Sequence, residues 1–149
     1  MLTLDATADS AEALEEQGRL LARALPPFAV VVLIGELGAG KTTLMKGVAE
    51  GWEVASADEV TSPTYTLIHE YQRGGRRLLH LDLYRIETGA QLETLGLDDV
   101  LRPPESGERK LVAIEWGERV EDQLPRPYVR LEITPASGGI RHLRSRWVR

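Results

Sequence analysis

The sequence predicts an α/β fold in which a mixed β-sheet is flanked by helices, and three observations carry this prediction. The apolar run Ala-Val-Val-Val-Leu-Ile at 29–34 leads directly into a glycine-rich octapeptide. Two alternating runs between 65 and 84 flank Gly74-Gly75, which is a strong hairpin signal. A second buried run at 111–114 ends in an acid. With 149 residues, the chain is long enough for one domain and too short for two ordinary ones, so we expect residues 1–149 to form one domain.

The N-terminal segment predicts an edge strand followed by an amphipathic helix. Residues 1–4 fit a short edge strand, and apolar residues recur at near-helical spacing from about 10 to 25. Pro26-Pro27 ends this helix, because proline lacks the amide hydrogen that a helix needs. The chain therefore begins with a strand, a helix and then the buried strand at 29–34.

Residues 35–42 read Gly-Glu-Leu-Gly-Ala-Gly-Lys-Thr, a complete phosphate-binding loop. A buried strand that feeds a glycine-rich turn opening a helix is the arrangement in which backbone N–H groups and a helix N-terminus converge on nucleotide phosphates. A glycine turn beside a surface lysine is the alternative, and the preceding strand argues against it. The predicted nucleotide site comprises Gly35, Glu36, Leu37, Gly38, Ala39, Gly40, Lys41, Thr42 and Thr43.

Individual residues of this loop have predicted tasks. Gly35 and Gly40 allow close backbone approaches that a Cβ would obstruct. The Lys41 ammonium should bridge the β and γ phosphates, and the Thr42 hydroxyl is placed to ligate Mg²⁺. Thr43 should reach the α-phosphate through its amide or hydroxyl. These features predict nucleotide binding, and by themselves they do not define a reaction.

Two acids are predicted to join the loop. Glu115 closes the strand at 111–114, and Asp82 lies on the polar face of the second hairpin strand. Ligands sit at the carboxyl ends of the strands in α/β sheets, so both acids could approach the Mg²⁺ held by Thr42. A carboxylate in this place usually binds the metal directly or through water. We predict Thr42, Asp82 and Glu115 as the metal site, Asp82 as a further nucleotide contact, and Lys41, Asp82 and Glu115 as the catalytic residues.

The remaining elements follow from local signals. Thr88-Gly89-Ala90-Gln91 is a capping-box pattern that starts a helix, and Gly96 is placed to end it. Beyond the strand at 111–114 we expect a short helix that reaches Leu124. Strands at 128–133 and 140–148 then complete the sheet across a glycine turn.

Four further features have two interpretations each. Ser62-Pro63-Thr64 forms a plain turn or a loop that senses the γ-phosphate. His80 fits a hydrogen-bonded strand residue better than a metal ligand, since no second histidine or cysteine stands at metal-ligand spacing. Trp116 is a core anchor or an exposed contact for a partner. Arg85 reaches phosphate or forms a structural ion pair.

The composition argues against several classes of protein. A net charge of −5 argues against nonspecific coating of nucleic acid. No apolar run approaches the length of a membrane span, the N-terminus does not resemble a secretory signal, and zero cysteines exclude disulfides and thiolate metal sites. With a nucleotide site, these features favour the cytoplasm and no membrane partner. The arginine-rich end from Arg126 to Arg149 is a solvated sheet face or a docking surface for RNA, nucleotide or an acidic partner.

Four segments form a set that is more specific than the phosphate loop alone. They read Gly-Glu-Leu-Gly-Ala-Gly-Lys-Thr-Thr at 35–43, Ser-Pro-Thr-Tyr-Thr-Leu at 62–67, His-Leu-Asp-Leu-Tyr-Arg at 80–85 and Ile-Glu-Trp at 114–116. In order and spacing, over nearly the whole chain, the set resembles the bacterial TsaE family, formerly YjeE. These are the ATPases of tRNA threonylcarbamoyladenosine biosynthesis.

The resemblance implies a small P-loop NTPase fold that binds ATP or ADP with Mg²⁺ and hydrolyses ATP weakly when alone. It also implies action with the TsaB and TsaD proteins, which build the modification on adenosine 37 of tRNA, so that tRNA is reached indirectly through the complex. Ser62, Pro63 and Thr64 match the switch-like segment of the family. The glycine turn at 138–139 matches a region that closes over the nucleotide in relatives, which makes Gly139 a candidate nucleotide contact.

The chain departs from the family pattern near its N-terminus. Family members often have a threonine four residues before a glycine, and this chain has Leu14 ahead of Gly18. The residues that would contact the adenine are therefore not identified by the resemblance.

Two other functions share the phosphate loop. A small-molecule kinase needs an acceptor pocket and commonly an arginine-bearing lid, and no lid-sized insertion with clustered arginines follows the loop. In a nucleotide-gated adaptor, complex formation is the function and turnover is incidental. No arginine finger is evident in the sequence, so we expect slow intrinsic turnover that a partner accelerates.

Overall fold

A computed structural model describes residues 4–36, 38–63 and 67–149. The strands are β1 (Leu4–Ala8), β2 (Phe28–Ile34), β3 (Ile68–Arg73), β4 (Arg76–Asp82), β5 (Arg109–Glu115), β6 (Tyr128–Pro135) and β7 (Arg141–Val148). The α-helices are α1 (Ala11–Ala24), α2 (Lys41–Gly51), α3 (Gly89–Leu95) and α4 (Leu97–Val100). Short 3₁₀ turns lie at Ala57–Glu59, Gly117–Arg119, Glu121–Gln123 and Ser137–Gly139. None of the helices in the described ranges is long and apolar enough to cross a membrane.

The seven strands form one sheet in the order β1-β7-β6-β2-β5-β4-β3. The strand β2 is parallel to β5 and to β6, and β5 is parallel to β4. The pairs β3–β4, β6–β7 and β1–β7 are antiparallel. This mixed sheet with flanking helices confirms the predicted fold class. Because β2, β4, β5 and β6 run in one direction, their carboxyl ends meet at one edge of the sheet, where ligands bind in α/β folds.

Glycines allow α1 and α2 to pack closely against each other. A Cβ built on Gly47 of α2 would lie 1.9 Å from the carbonyl oxygen of Glu15. A Cβ built on Gly18 of α1 would lie 2.3 Å from the carbonyl oxygen of Leu44. Buried side chains of both helices share one core with Val31 of β2. The close contact therefore fixes α2, and the turn that precedes it, against the sheet.

The opposite face of the sheet carries a second core. Side chains alternate along a strand, so Val30 and Val32 of β2 point away from the two long helices. They pack with Ile114 of β5 and with buried residues of the segments that follow β4 and β5, such as Leu83 and Val120. This second core anchors two segments: the one that follows Asp82 at the end of β4, and the one that follows Glu115 at the end of β5.

Several local predictions are confirmed. Ser10 caps α1 through its side chain, as the expected helix start requires. Gly74 and Gly75 form the hairpin turn with positive φ of 56° and 79°. Thr88 makes the predicted capping box, and Gly96 ends α3 in the left-handed conformation.

Two element predictions are corrected. The N-terminal strand runs over Leu4–Ala8 because it pairs there with β7, and residues 1–3 lie outside the described residues. The expected short helix that reaches Leu124 is two separate 3₁₀ turns. At Val120 the backbone leaves the helical region, with φ −130° and ψ 12°. The fully buried side chain of Val120 explains the break, since it fills the second core.

We expect Gly47→Ala to destabilise the protein by at least about 1–3 kcal/mol, because the added methyl meets the backbone of α1 and a helix must move. The free energy of unfolding in urea measures this effect. Gly89→Ala is the matched control, since a Cβ on Gly89 meets no atom within 4 Å. Equal stability of the Gly47→Ala variant and the parent would contradict the close packing of α1 and α2.

Candidate functional site

The glycine-rich turn links β2 to α2 through conformations that favour glycine. Gly38 and Gly40 have φ of 81° and 107°. A Cβ on Gly40 would also lie 2.6 Å from Cδ2 of Leu14 in α1. Gly40 is the N-cap of α2, and no side chain of the described residues caps the helix there. The first N–H groups of α2, which have no partner within the helix, can therefore receive an anion.

Lys41 begins α2 and places its ammonium beneath this turn. Only 5 % of the residue is exposed. Its Nζ donates a hydrogen bond of 2.6 Å to the carbonyl oxygen of Gly35. The same Nζ lies 4.0 Å from Oε1 of Glu115 and 4.4 Å from the centre of the Trp116 ring. A buried charge is costly unless it is paired, so these contacts hold the cation at the base of the turn.

Asp82 and Glu115 stand opposite each other at the ends of the parallel strands β4 and β5. They are only 8 % and 4 % exposed. Burial raises the pKa of Asp82 above its ordinary value; the Tyr84 N–H, which donates to Oδ1 at 2.9 Å, opposes this rise, and the neighbouring Glu115 adds to it. Two buried carboxylates side by side repel each other, and a cation between them would relieve that repulsion.

His80 lies behind the acids, within β4. It is fully buried, and its Nε2 is 2.6 Å from Oε2 of Glu115. The interpretation of His80 as a hydrogen-bonded strand residue is confirmed. Glu115 therefore has one oxygen against a histidine and the other on the side of Lys41.

A cleft of about 500 Å³ opens at this edge of the sheet. It brings together eight of the residues predicted for the site, which come from four separate parts of the chain: Gly38, Gly40, Lys41, Thr42, Thr43, Ser62, Asp82 and Glu115. Tyr84, Arg85 and Trp116 complete its described lining. The loop, the ends of β4 and β5 and the turn at Ser62 thus share one concave surface.

The other predicted residues lie around this cleft. Gly35 and Glu36 line a neighbouring groove of about 390 Å³, and Trp116 borders both spaces. Ala39 is buried within the turn, and Pro63 is buried next to Ser62. Leu37 and Thr64 lie outside the described residues. Trp116 is half-buried with its ring over Lys41, so it is part of the wall of the site.

Gly139 is linked to the loop through Arg141, and it is not among the described residues that line the cleft. The guanidinium of Arg141 donates to the carbonyl oxygens of Ala39 at 2.9 Å, Gly38 at 3.4 Å and Gly139 at 3.4 Å. Sequence reasoning placed Arg141 only within the arginine-rich end. The contact between Arg141 and the loop joins residues far apart in the chain, so no local sequence pattern predicts it.

Arg119 was also missed, and it fixes the segment that follows Asp82. One of its terminal nitrogens donates to the carbonyl oxygens of Leu83, Tyr84 and Ile86 at 2.6–2.9 Å. The ring of Tyr84 lies 5.0 Å from that of Trp116. The two segments that leave β4 and β5 are thus joined beside the cleft.

Apart from Arg141, the described arginines on the strands of the arginine-rich end lie on the sheet surface or pair with acids there. Arg130 is 3.5 Å from Glu121 and 3.4 Å from Glu132, while Arg144 and Arg146 are exposed on β7. These pairs fit the solvated-face interpretation, and the docking interpretation stays a prediction.

Comparisons with known proteins point to one family. The family model described as "Threonylcarbamoyl adenosine biosynthesis protein TsaE" matches residues 8–143. The chain is similar to tRNA threonylcarbamoyladenosine biosynthesis protein TsaE of Streptomyces coelicolor, with 40% identity over 84% of this chain and 81% of that protein. For the protein of the same name from Bacillus subtilis, the identity is 38% over 84% and 73% of the two chains. A crystal structure of YdiB from Bacillus subtilis aligns with a TM-score of 0.71 and 30% identity, and it covers 97% of this chain and 85% of that one. The chain therefore belongs to the TsaE family.

Proposed function

We propose that this chain binds ATP or ADP with Mg²⁺ in the cleft and hydrolyses ATP as a component of tRNA threonylcarbamoyladenosine biosynthesis. The observation that carries the proposal is the convergence of Lys41, Asp82 and Glu115 on one cleft at the N-terminus of α2. The names of the relatives support the pathway. The TsaB and TsaD proteins are the proposed partners, tRNA is reached through their complex, and the cytoplasm is the proposed location.

The phosphate tail of the nucleotide would lie against the uncapped start of α2. Backbone N–H groups from Gly38 to Thr43 would bind its oxygens, since the helix dipole and the free amides both favour an anion. Lys41 would add a full positive charge, and it is already held at the base of the loop by Gly35. The contacts of Arg141 with the carbonyls of the turn keep the backbone in this shape.

The donor set beside Lys41 fits Mg²⁺. Thr42, Asp82 and Glu115 all line the cleft and offer a hydroxyl and two carboxylates, which are hard oxygen donors. Magnesium is commonly held by one or two carboxylates together with phosphate oxygens and water. When bound, Mg²⁺ would supply positive charge that stabilises the phosphates during transfer.

The proposed hydrolysis assigns a role to Lys41 and to each of the two buried acids, Asp82 and Glu115. A water oxygen attacks the γ-phosphorus, the bond to the oxygen between the β and γ phosphates breaks, and ADP and inorganic phosphate form. Glu115 or Asp82 would orient that water through a carboxylate oxygen, and Lys41 would stabilise the charge on the transferred group. Arg85 borders the cleft and is a candidate for contact with phosphate.

The turn at Ser62 offers a way to sense the nucleotide. Ser62 lines the cleft, and Pro63, which follows it, is buried. We suggest that ATP orders the segment Ser62-Pro63-Thr64 and creates a surface for the TsaB–TsaD pair, as γ-phosphate contacts order switch segments in other P-loop proteins. Hydrolysis would then release or reset the complex.

Lys41→Ala should weaken ADP binding by roughly 10- to 100-fold, because hydrogen bonds to charged groups contribute about 1.5–3 kcal/mol. Titration calorimetry with ADP and Mg²⁺ measures the change. Lys46→Ala is the matched control, since Lys46 lies on the same helix and is not among the residues lining the cleft. Equal ADP affinity of the Lys41→Ala variant and the parent would refute the proposed site.

We expect immobilised TsaB and TsaD from the same organism to retain more of this chain with ATP than with ADP or without nucleotide. The experiment compares the three conditions by the amount of chain retained. Absence of retention under all three conditions would argue against these partners.

A second experiment separates an ATPase from an adaptor. Repeated cycles of tRNA modification with a nonhydrolysable ATP analogue would identify the chain as an adaptor whose turnover is incidental.

The ionised form of Asp82 should lower the free energy of unfolding of the nucleotide-free protein. Because its pKa is raised in the folded chain, the folded chain binds the proton more tightly than the unfolded chain does. The ionised carboxylate therefore lowers the free energy of unfolding at neutral pH, and this cost disappears as the pH falls below the ordinary value of 3.8.

Asp82→Asn should accordingly raise the urea midpoint at neutral pH without nucleotide or Mg²⁺, and the gain should shrink towards acid pH. The exposed Asp98→Asn change is the control. A variant that is less stable than the parent at neutral pH would show that the carboxylate stabilises the fold.

A further inference from the structure

His80 is a buried titratable residue to which the proposed chemistry gives no role. It is 0 % exposed and is not among the residues that line the cleft. Its Nε2 lies 2.6 Å from Oε2 of Glu115, which itself is 4 % exposed. The histidine is on β4 and the acid on the neighbouring parallel strand β5, so both ends of the contact are fixed by the sheet.

The other ring nitrogen shows which way this hydrogen bond runs. Nδ1 of His80 is buried and has no hydrogen-bond partner in the described part of the chain. A buried N–H without an acceptor is costly, and Nδ1 avoids that cost when it carries the lone pair. The proton then resides on Nε2, which donates to Glu115.

This bond constrains one oxygen of Glu115 and leaves the other available. Oε2 accepts from His80, while Oε1 lies 4.0 Å from Nζ of Lys41 on the side of the cleft. A carboxylate bound at one oxygen loses the freedom to rotate about its terminal bond. Groups that orient a metal-binding or catalytic side chain in this way commonly determine its effectiveness.

We propose that His80 is a positioning residue, whose Nε2–H holds Glu115 so that Oε1 faces the nucleotide and its Mg²⁺. The inference rests on the proposed function and assigns to His80 an effect on the response to Mg²⁺ and on turnover, with little effect on the binding of the nucleotide itself. A histidine that only filled the core would affect stability alone.

A second histidine–carboxylate pair provides the matched control. His142 Nε2 lies 2.5 Å from Oδ1 of Asp5 on the paired strands β7 and β1. Both members are exposed to solvent, with 36 % and 64 % of their side chains accessible. Neither lines the cleft. His142→Leu therefore removes the same kind of hydrogen bond at a place remote from the acids.

The test compares His80→Leu, which removes the donor, with His80→Gln, whose amide nitrogen can donate from nearly the same position. We expect His80→Leu to lower kcat, and to raise the Mg²⁺ concentration needed for half-maximal hydrolysis, by about 10- to 100-fold. KM for ATP, and the affinity for ADP measured by calorimetry without Mg²⁺, should stay within about threefold of the parent. Calorimetry should also show that Mg²⁺ no longer strengthens ADP binding as it does in the parent. His80→Gln should return kcat and the Mg²⁺ response most of the way to the parental values. His142→Leu should behave as the parent does.

Three results would overturn the inference. One is a parental kcat and Mg²⁺ response in a folded His80→Leu variant. Another is a His80→Gln variant whose kcat and Mg²⁺ response are reduced as much as those of His80→Leu, when both variants have the same urea midpoint. The third is a His142→Leu variant with the same loss. If His80→Leu does not fold, His80→Gln is compared with His80→Asn, whose shorter amide does not reach Glu115, and equal activity of these two overturns the inference.

Failure of the proposed function would be visible in the parent protein alone. The proposed function and the role of His80 are both overturned if the parent binds no nucleotide, or if its nucleotide binding and ATP hydrolysis do not depend on Mg²⁺. A parent that responds to Mg²⁺ while His80→Leu responds equally overturns only the role of His80.

Discussion

The site depends on one buried cation. Lys41 can lie beneath the phosphate loop because the carbonyl oxygen of Gly35, the carboxylate of Glu115 and the ring of Trp116 surround its ammonium. These partners come from the end of β2 and the end of β5, which are neighbouring parallel strands. The ion therefore connects the glycine turn to the acidic end of the sheet. Removal of any one partner would leave a charge with poor solvation in a place from which water is largely excluded.

The two acids at the sheet edge indicate a compromise between stability and function. Asp82 and Glu115 are buried side by side in register. Burial raises the pKa of Asp82, the neighbouring Glu115 adds to the rise, and the charged form of Asp82 is disfavoured. A protein selected only for stability would place a neutral residue here. Such unfavourable groups commonly cluster where a ligand compensates them, and a divalent cation would reverse the repulsion. The same reasoning explains why His80 is placed against Glu115, since a buried acid needs a donor to remain ordered.

The parts of the molecule that the sequence predicts are those encoded over short distances. The strand, glycine turn and helix around Lys41 follow from local hydrophobicity and backbone freedom, and Asp82 and Glu115 follow because parallel strands end at one edge. Arg141 could not be predicted in the same way, because its contact with Ala39 depends on β7 lying at the far side of β6. Arg119 likewise binds carbonyl oxygens, which any sequence offers at every position. The split of the helix before Leu124 was missed since burial of one valine overrides the local preference.

The geometry beside the acids also indicates how a change in the cleft would reach the surface. Asp82 accepts the N–H of Tyr84, whose ring lies against Trp116, and Trp116 directly follows Glu115. Arg119 then ties the carbonyls after β4 to the segment after β5, so the two segments cannot move independently without losing charge-assisted hydrogen bonds. A ligand that contacts both carboxylates would therefore act beside two segments that are joined to each other. The helix α3 follows the first segment and contacts the second core through the partly buried Leu92 and Leu95, so the core restrains α3 less than it restrains the buried Leu83 and Ile86.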